Sequence, residues 1–154
     1  MTGTQSHESM AGTLAAIEHL AWLGRNISND DMSRREALSV AFSAIEEHES
    51  ELCWSMIQGL QEIDGVKIWG VTDSSMKKHR APTVSFTHPS MTAEQIGAAL
   101  AEEGIFAWAG NFYALELSEA LGLEPEGALR VGLLHYNTKE EVERFIKVLD
   151  GILG

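Results

Sequence analysis

Ala128-Leu129-Arg130-Val131-Gly132-Leu133-Leu134-His135-Tyr136-Asn137-Thr138-Lys139-Glu140-Glu141-Val142 is the stretch that organises the rest of the chain. Leu129, Val131 and Leu133 alternate with Arg130, Gly132 and Leu134, a period of two that predicts a strand with two unlike faces. Thr138 opens a T-x-x-E capping box closing on Glu141. Val142, Phe145, Ile146, Leu149, Ile152 and Leu153 then fall on one side of the helix that follows. Arg130 is out of character in such a strand. A guanidinium there needs a carboxylate partner or an open cleft, because burying it unpaired is costly. Strand position alone favours an edge arginine held by a neighbouring acid, in a chain with 23 Asp and Glu residues.

Upstream, Gly110-Asn111-Phe112-Tyr113 reads as a turn into a short helix through Leu121, and Ile105 to Ala109 as a third, buried strand. Thr92-x-x-Gln95 caps a helix to about Glu103 with Ile96, Ala99 and Leu100 inward. Pro82 to Phe86 predicts a second strand, with Pro82 first, where its missing donor does least harm. Thr72 to His79 reads as a polar loop, and Val66 to Trp69 as the first strand. Ser33 and Glu36 cap a long helix to about Gly59, striped by Leu38, Phe42, Ile45, Glu49, Leu52 and Met56. That stripe reads as core or a helix seam. Glu49 within it is expected to be paired at a domain or subunit boundary, and Cys53 beside it to be a small half-buried residue rather than a nucleophile. A first helix spans about Ser9 to Leu23, with Gly24 as its natural stop. Helices first, then strand, strand, helix, strand, helix, strand, helix, give an α+β fold: a small, mainly antiparallel sheet packed against helices.

With 154 residues the chain has room for one domain with a proper core. Lys and Arg number 11 against 23 acids, a net charge of -12, which argues against nucleic-acid backbones and anionic membranes as partners. Cys53 is the sole cysteine, so no intrachain disulfide forms and a reducing compartment, the cytoplasm, is expected. No apolar run approaches a membrane span. The six histidines are scattered without metal-ligand spacing, and neither a P-loop nor a G-x-S-x-G elbow occurs. Trp22, Trp54, Trp69 and Trp108 lie on apolar stretches and read as core or interface.

Four segments, taken in order, carry a family resemblance. They are Gly3-Thr4-Gln5 with His7-Glu8, Arg80 to Phe86, Gly104-Ile105 through Gly110-Asn111-Phe112-Tyr113-Ala114, and Leu129-Arg130-Val131 with Tyr136-Asn137-Thr138-x-Glu140-Glu141. Together they resemble the C-terminal, small domain of class V aminotransferases, fold-type-I pyridoxal phosphate enzymes, and are most similar to the cysteine desulfurase-like group. The resemblance implies that residues 1–8 are the remnant of a large-domain boundary loop and 9–154 the small domain. It implies that Arg130 clamps the carboxylate of an amino-acid substrate, a task suited to a planar fork of donors, so the cleft reading overtakes the edge reading. It also implies that Gly3 and Thr4 contact the cofactor phosphate, Thr4 reaching across a homodimer to the other subunit. Asn137 and Thr138 are expected to shape the turn and the cap.

Two departures bear on activity. None of Lys67, Lys77, Lys78, Lys139 and Lys147 matches the family's Schiff-base lysine, which lies upstream of the Gly-Thr segment together with the large cofactor-binding domain. The chain is therefore expected to be inactive alone, to bind no pyridoxal phosphate by itself, and to need that large domain as partner. The second departure is Tyr113, which stands at the position of the desulfurases' persulfide cysteine, while Trp108 replaces a common basic residue. The alternative to a part-enzyme is a non-enzymatic dimerisation or partner-binding module built on the same domain, using the Leu38–Met56 helix and the Trp108–Tyr113 loop.

Overall fold

A computed structural model describes residues 3–154; Met1 and Thr2, the first two residues of the expected boundary loop, lie outside the described residues. The chain gathers into two compact units, Met1–Glu47 and His48–Gly154.

The first unit is helical. Helix α1 (His7–Ser28) starts two residues earlier than the sequence suggests, with Ser6 as its cap. It also runs straight through Gly24, the expected stop. Gly24 is present for its size: a Cβ there would lie 1.9 Å from the Ala37 carbonyl oxygen, so this residue lets the start of α2 (Arg34–Glu62) approach the backbone closely. Asn29, in the left-handed region at φ 52, ends the helix instead. Ser33 and Glu36 form the expected capping box at the start of α2, the Ser33 hydroxyl accepting from the Glu36 N–H and the Glu36 carboxylate from the Ser33 N–H. The Ser33 hydroxyl, which also donates to Glu36 Oε2 at 2.6 Å, and then the Ser33 N–H hold the Glu36 carboxyl below its ordinary range.

The second unit holds the sheet. Strands β1 (Lys67–Trp69), β2 (Thr83–Thr87), β3 (Trp108–Gly110) and β4 (Ala128–Gly132) lie in the order β1-β2-β4-β3, and each neighbouring pair is antiparallel. The small antiparallel sheet backed by helices expected from the sequence is the observed α+β architecture. Alternation decides which side is covered: Val84, Phe86 and Leu129 are fully buried against the C-terminal half of α2, α3 (Ala93–Glu102) and α5 (Lys139–Leu153). Leu52, Met56, Ile96, Leu100, Val142, Phe145 and Leu149 fill that layer. Both capping boxes read from the sequence, Thr92 with Gln95 and Thr138 with Glu141, are formed. A short helix α4 (Leu115–Leu121) precedes β4.

Two local expectations give way. Residues 72–79 are not a plain loop: Asp73 caps a 3-10 helix over Ser74–His79. The strand expected over 105–109 shrinks to Trp108–Gly110 at the sheet edge, and Phe106 and Trp108 stay largely in solvent because no layer covers that side. Glu49 is half-buried, and among the described residues no cation lies within ion-pair reach of it. Cys53 lies deeper than the half-buried place expected of it: it is buried on α2, its thiol donates to the Ala81 carbonyl at 3.7 Å, and burial pushes the thiol pKa up against the opposing pull of Arg80.

Candidate functional site: the open face of the sheet

Arg130 sits on β4, an interior strand, so the edge explanation for it does not hold. In register it faces Ser85 on one side and Trp108 on the other, and Ser85 in turn faces Trp69. Cross-strand partners share a face of the sheet. A row Trp69–Ser85–Arg130–Trp108 therefore crosses the uncovered face, opposite to the one that buries Val84, Phe86 and Leu129. Arg130 is half-buried there. Among the described residues no carboxylate lies within ion-pair distance of its guanidinium.

What does hold the guanidinium is an aromatic ring. The Arg130 Cζ lies 4.1 Å from the centroid of Phe112, a cation–π stack worth about 1 kcal/mol. Phe112 reaches that place from a loop in which two consecutive residues, Phe112 at φ 58 and Tyr113 at φ 62, take the left-handed region. For side chains of this size each such residue costs about 1–2 kcal/mol, and the surroundings supply the restraint. The Asn111 carboxamide oxygen accepts from the Tyr113 N–H at 3.2 Å, and its Nδ2 donates to Glu124 Oε1 at 3.2 Å. Gly127, at φ +68, presses on Gly110 so closely that a Cβ would sit 2.3 Å from the Gly110 carbonyl group. The loop is braced from both ends. It stacks Phe112 on the arginine and turns Tyr113, 99% exposed, outward.

Beside Arg130 opens a hollow of ≈ 850 Å³ lined by Thr83, Phe106, Ala107, Trp108 and Gly132 among others. With one guanidinium face stacked, the N–H edge remains for a ligand. A guanidinium edge of this kind can hold a planar anion through two hydrogen bonds.

Gly3, at φ 89, and Thr4 are exposed and precede α1 in the first unit, whereas Arg130 belongs to the second. Asn137 and Thr138 do the structural work expected of them. The Asn137 carboxamide oxygen accepts from the Leu134 N–H at 2.8 Å, and its Nδ2 donates to Glu141. Sequence reasoning missed Phe112, taken for a turn residue, and placed the exposed Phe106 and Trp108 on a buried strand. The alternation of Thr83 and Ser85 with Val84 and Phe86 was the available sign that one sheet face is open.

The aminotransferase class-V family model matches residues 32–145, most of the chain and all of the sheet. The chain belongs to the class V aminotransferase family. Aminotransferase-like protein FGM3 of Gibberella zeae is 38% identical over 116 residues, covering 73% of this chain and 28% of that protein. Probable cysteine desulfurase 2 of Mycobacterium leprae is 34% identical over 108 residues, covering 70% of this chain and 25% of the relative. The apo structure of a cysteine desulfurase from Thermococcus onnurineus NA1 superposes with a TM-score of 0.69 at 28% identity, covering 78% of this chain and 28% of that one. The chain thus spans about a quarter to a third of the length of the relatives it matches.

This family depends on pyridoxal phosphate. The residues here do not fit the whole cofactor. Lys67 Nζ rests 3.8 Å from the centroid of Trp69, Lys139 pairs with Glu143 at 3.5 Å, and Lys78 and Lys147 are exposed. None of the five lysines lines the hollow beside Arg130. Among the described residues no group of three or more His, Cys, Asp or Glu is arranged to hold a metal, and no helix is long and apolar enough to cross a membrane.

Proposed function

We propose that residues 9–154 form the small domain of a cysteine desulfurase-like, pyridoxal phosphate-dependent enzyme acting on an amino acid. Arg130 receives the substrate's α-carboxylate. The observation that carries this reading is a half-buried guanidinium on an interior strand, stacked on Phe112, beside a hollow and without an acidic neighbour among the described residues. An arginine kept only for structure would be expected to hold a carboxylate or a carbonyl.

In this reading the cofactor supplies the electron sink, and a large domain supplies its lysine and ring pocket, so the chain is incomplete and inactive alone. Residues 1–8 are then the end of the connection to that domain. The exposed Gly3 N–H and Thr4 hydroxyl are free to meet the cofactor phosphate of the second subunit in a homodimer. The exposed apolar side chains Met10, Leu14, Ile17 and Trp22 on α1 suit cover by such a partner. A cytoplasmic location agrees with the single reduced cysteine.

The test is kinetic, on the longer protein that this reading requires. Arg130→Lys keeps the charge but loses the fork, and should raise KM for the amino acid about 10–100-fold, the worth of one or two charge-assisted hydrogen bonds. The cofactor's absorbance should stay as it is. An unchanged KM would remove Arg130 from the substrate site.

A further inference from the structure

The chemistry around the guanidinium says more than that an acid binds there. On the open face Arg130 is flanked in register by Trp108, which is 63% exposed, and the neighbouring Phe106 is 87% exposed. Both line the hollow, together with Thr83 and the side-chain-free Gly132. Among the described residues, no acid and no second cation lines it. Large aromatic side chains held in water are the exception on a protein surface and mark binding sites when they gather around a hollow.

We propose that this hollow selects carboxylates carrying an aromatic or bulky apolar body, the acid on the free edge of Arg130 and the body against Trp108 and Phe106. The inference rests on the reading of Arg130 as carboxylate receiver and adds the substrate class to it. Three features argue against a small or polar substrate. Phe112 already covers one face of the guanidinium, so the remaining approach is along the aromatic wall. Among the described residues, Thr83 is the one hydroxyl lining the hollow that could serve a polar substituent. Gly132 leaves empty the strand position facing Thr83, where a larger residue would fill the space a ring needs.

The experiment uses the 154-residue chain and two probes that lack an amino group, acetate and 3-phenylpropionate, titrated at constant ionic strength. The Arg130 Nε–H and Trp108 indole N–H signals are followed by ¹⁵N-resolved NMR. The expected result is that 3-phenylpropionate moves both signals and binds about tenfold tighter than acetate, the return on removing a ring from water. Trp108→Ala and Phe106→Ala, both at exposed positions, should bring the two acids together, while Arg130→Gln should abolish both titrations. Equal affinity for the two acids in the unaltered chain overturns the aromatic selection and leaves Arg130 as carboxylate receiver standing. Binding of 3-phenylpropionate that survives Arg130→Gln, or no response of Arg130 to either acid, overturns both.

Discussion

The two units bury different things. In the first, the fully buried apolar residues among those described are Ala21, Ala37 and Ala41, packed with Gly24, while Met10, Leu14, Trp22, Ile27 and Phe42 are exposed. In the second, Phe86, Met56, Ile57, Leu60, Ile96, Leu100, Leu129 and Leu149 all lie below 2% exposure. Small residues bring helix backbones close but take little apolar surface out of water, about 25 cal/mol for each Å². The sheet unit therefore carries its own hydrophobic core. The helical unit is joined by close approach and leaves its large side chains for something else to cover. Even inside the stable unit the sheet repeats the contrast in miniature, one face sealed by helices and the other left open around Arg130.

The sharpest way to break this contrast is to hollow out the stable side. Phe86→Ala should cost about 3–5 kcal/mol in urea unfolding of the sheet unit, the usual loss for deleting a fully buried ring. A loss under about 1 kcal/mol would mean that the shared core is not where the stability lies. Gly24→Val attacks the other unit, since the added side chain must displace the Ala37 backbone. About 1–3 kcal/mol of overpacking should show as faster amide exchange in α1 with the β4 amides unchanged. Equal loosening of both would erase the distinction between the units.

Smaller again is the cap of α5. Thr138→Ala should cost about 1 kcal/mol. The Glu141 carboxyl is held below its ordinary 4.5 by the Asn137 amide and then by the Thr138 N–H. A carboxyl depressed in the folded state stabilises it above the unfolded value, and that contribution is lost as pH falls through the folded one. Protection of the first α5 amides should therefore decline below pH 4.5, and Glu141→Gln should flatten the decline. A pH-independent first turn would show the cap to be idle.

Much of the architecture could be read before any coordinates. The capping boxes at Ser33, Thr92 and Thr138 start their helices where the residues say, because each is complete within four positions. The two-residue alternation around Leu129 named the sealed face and singled out Arg130. The misreadings share a cause. Gly24 has the chemistry of a helix stop but serves close packing, and Trp108 has the chemistry of a core residue but lies on an edge strand under no cover. Local composition is the same in both outcomes.

Residues 128–142 by themselves determined a two-faced strand, a turn and a capped helix, because those signals act over a few bonds. Only the tertiary structure decided that β4 is interior, that Trp69, Ser85 and Trp108 fall in line with Arg130, and that Phe112 stacks on its guanidinium. Strand order, register and the brace on a strained loop depend on pairings between residues far apart in the chain. No window of sequence short enough to show a period contains them.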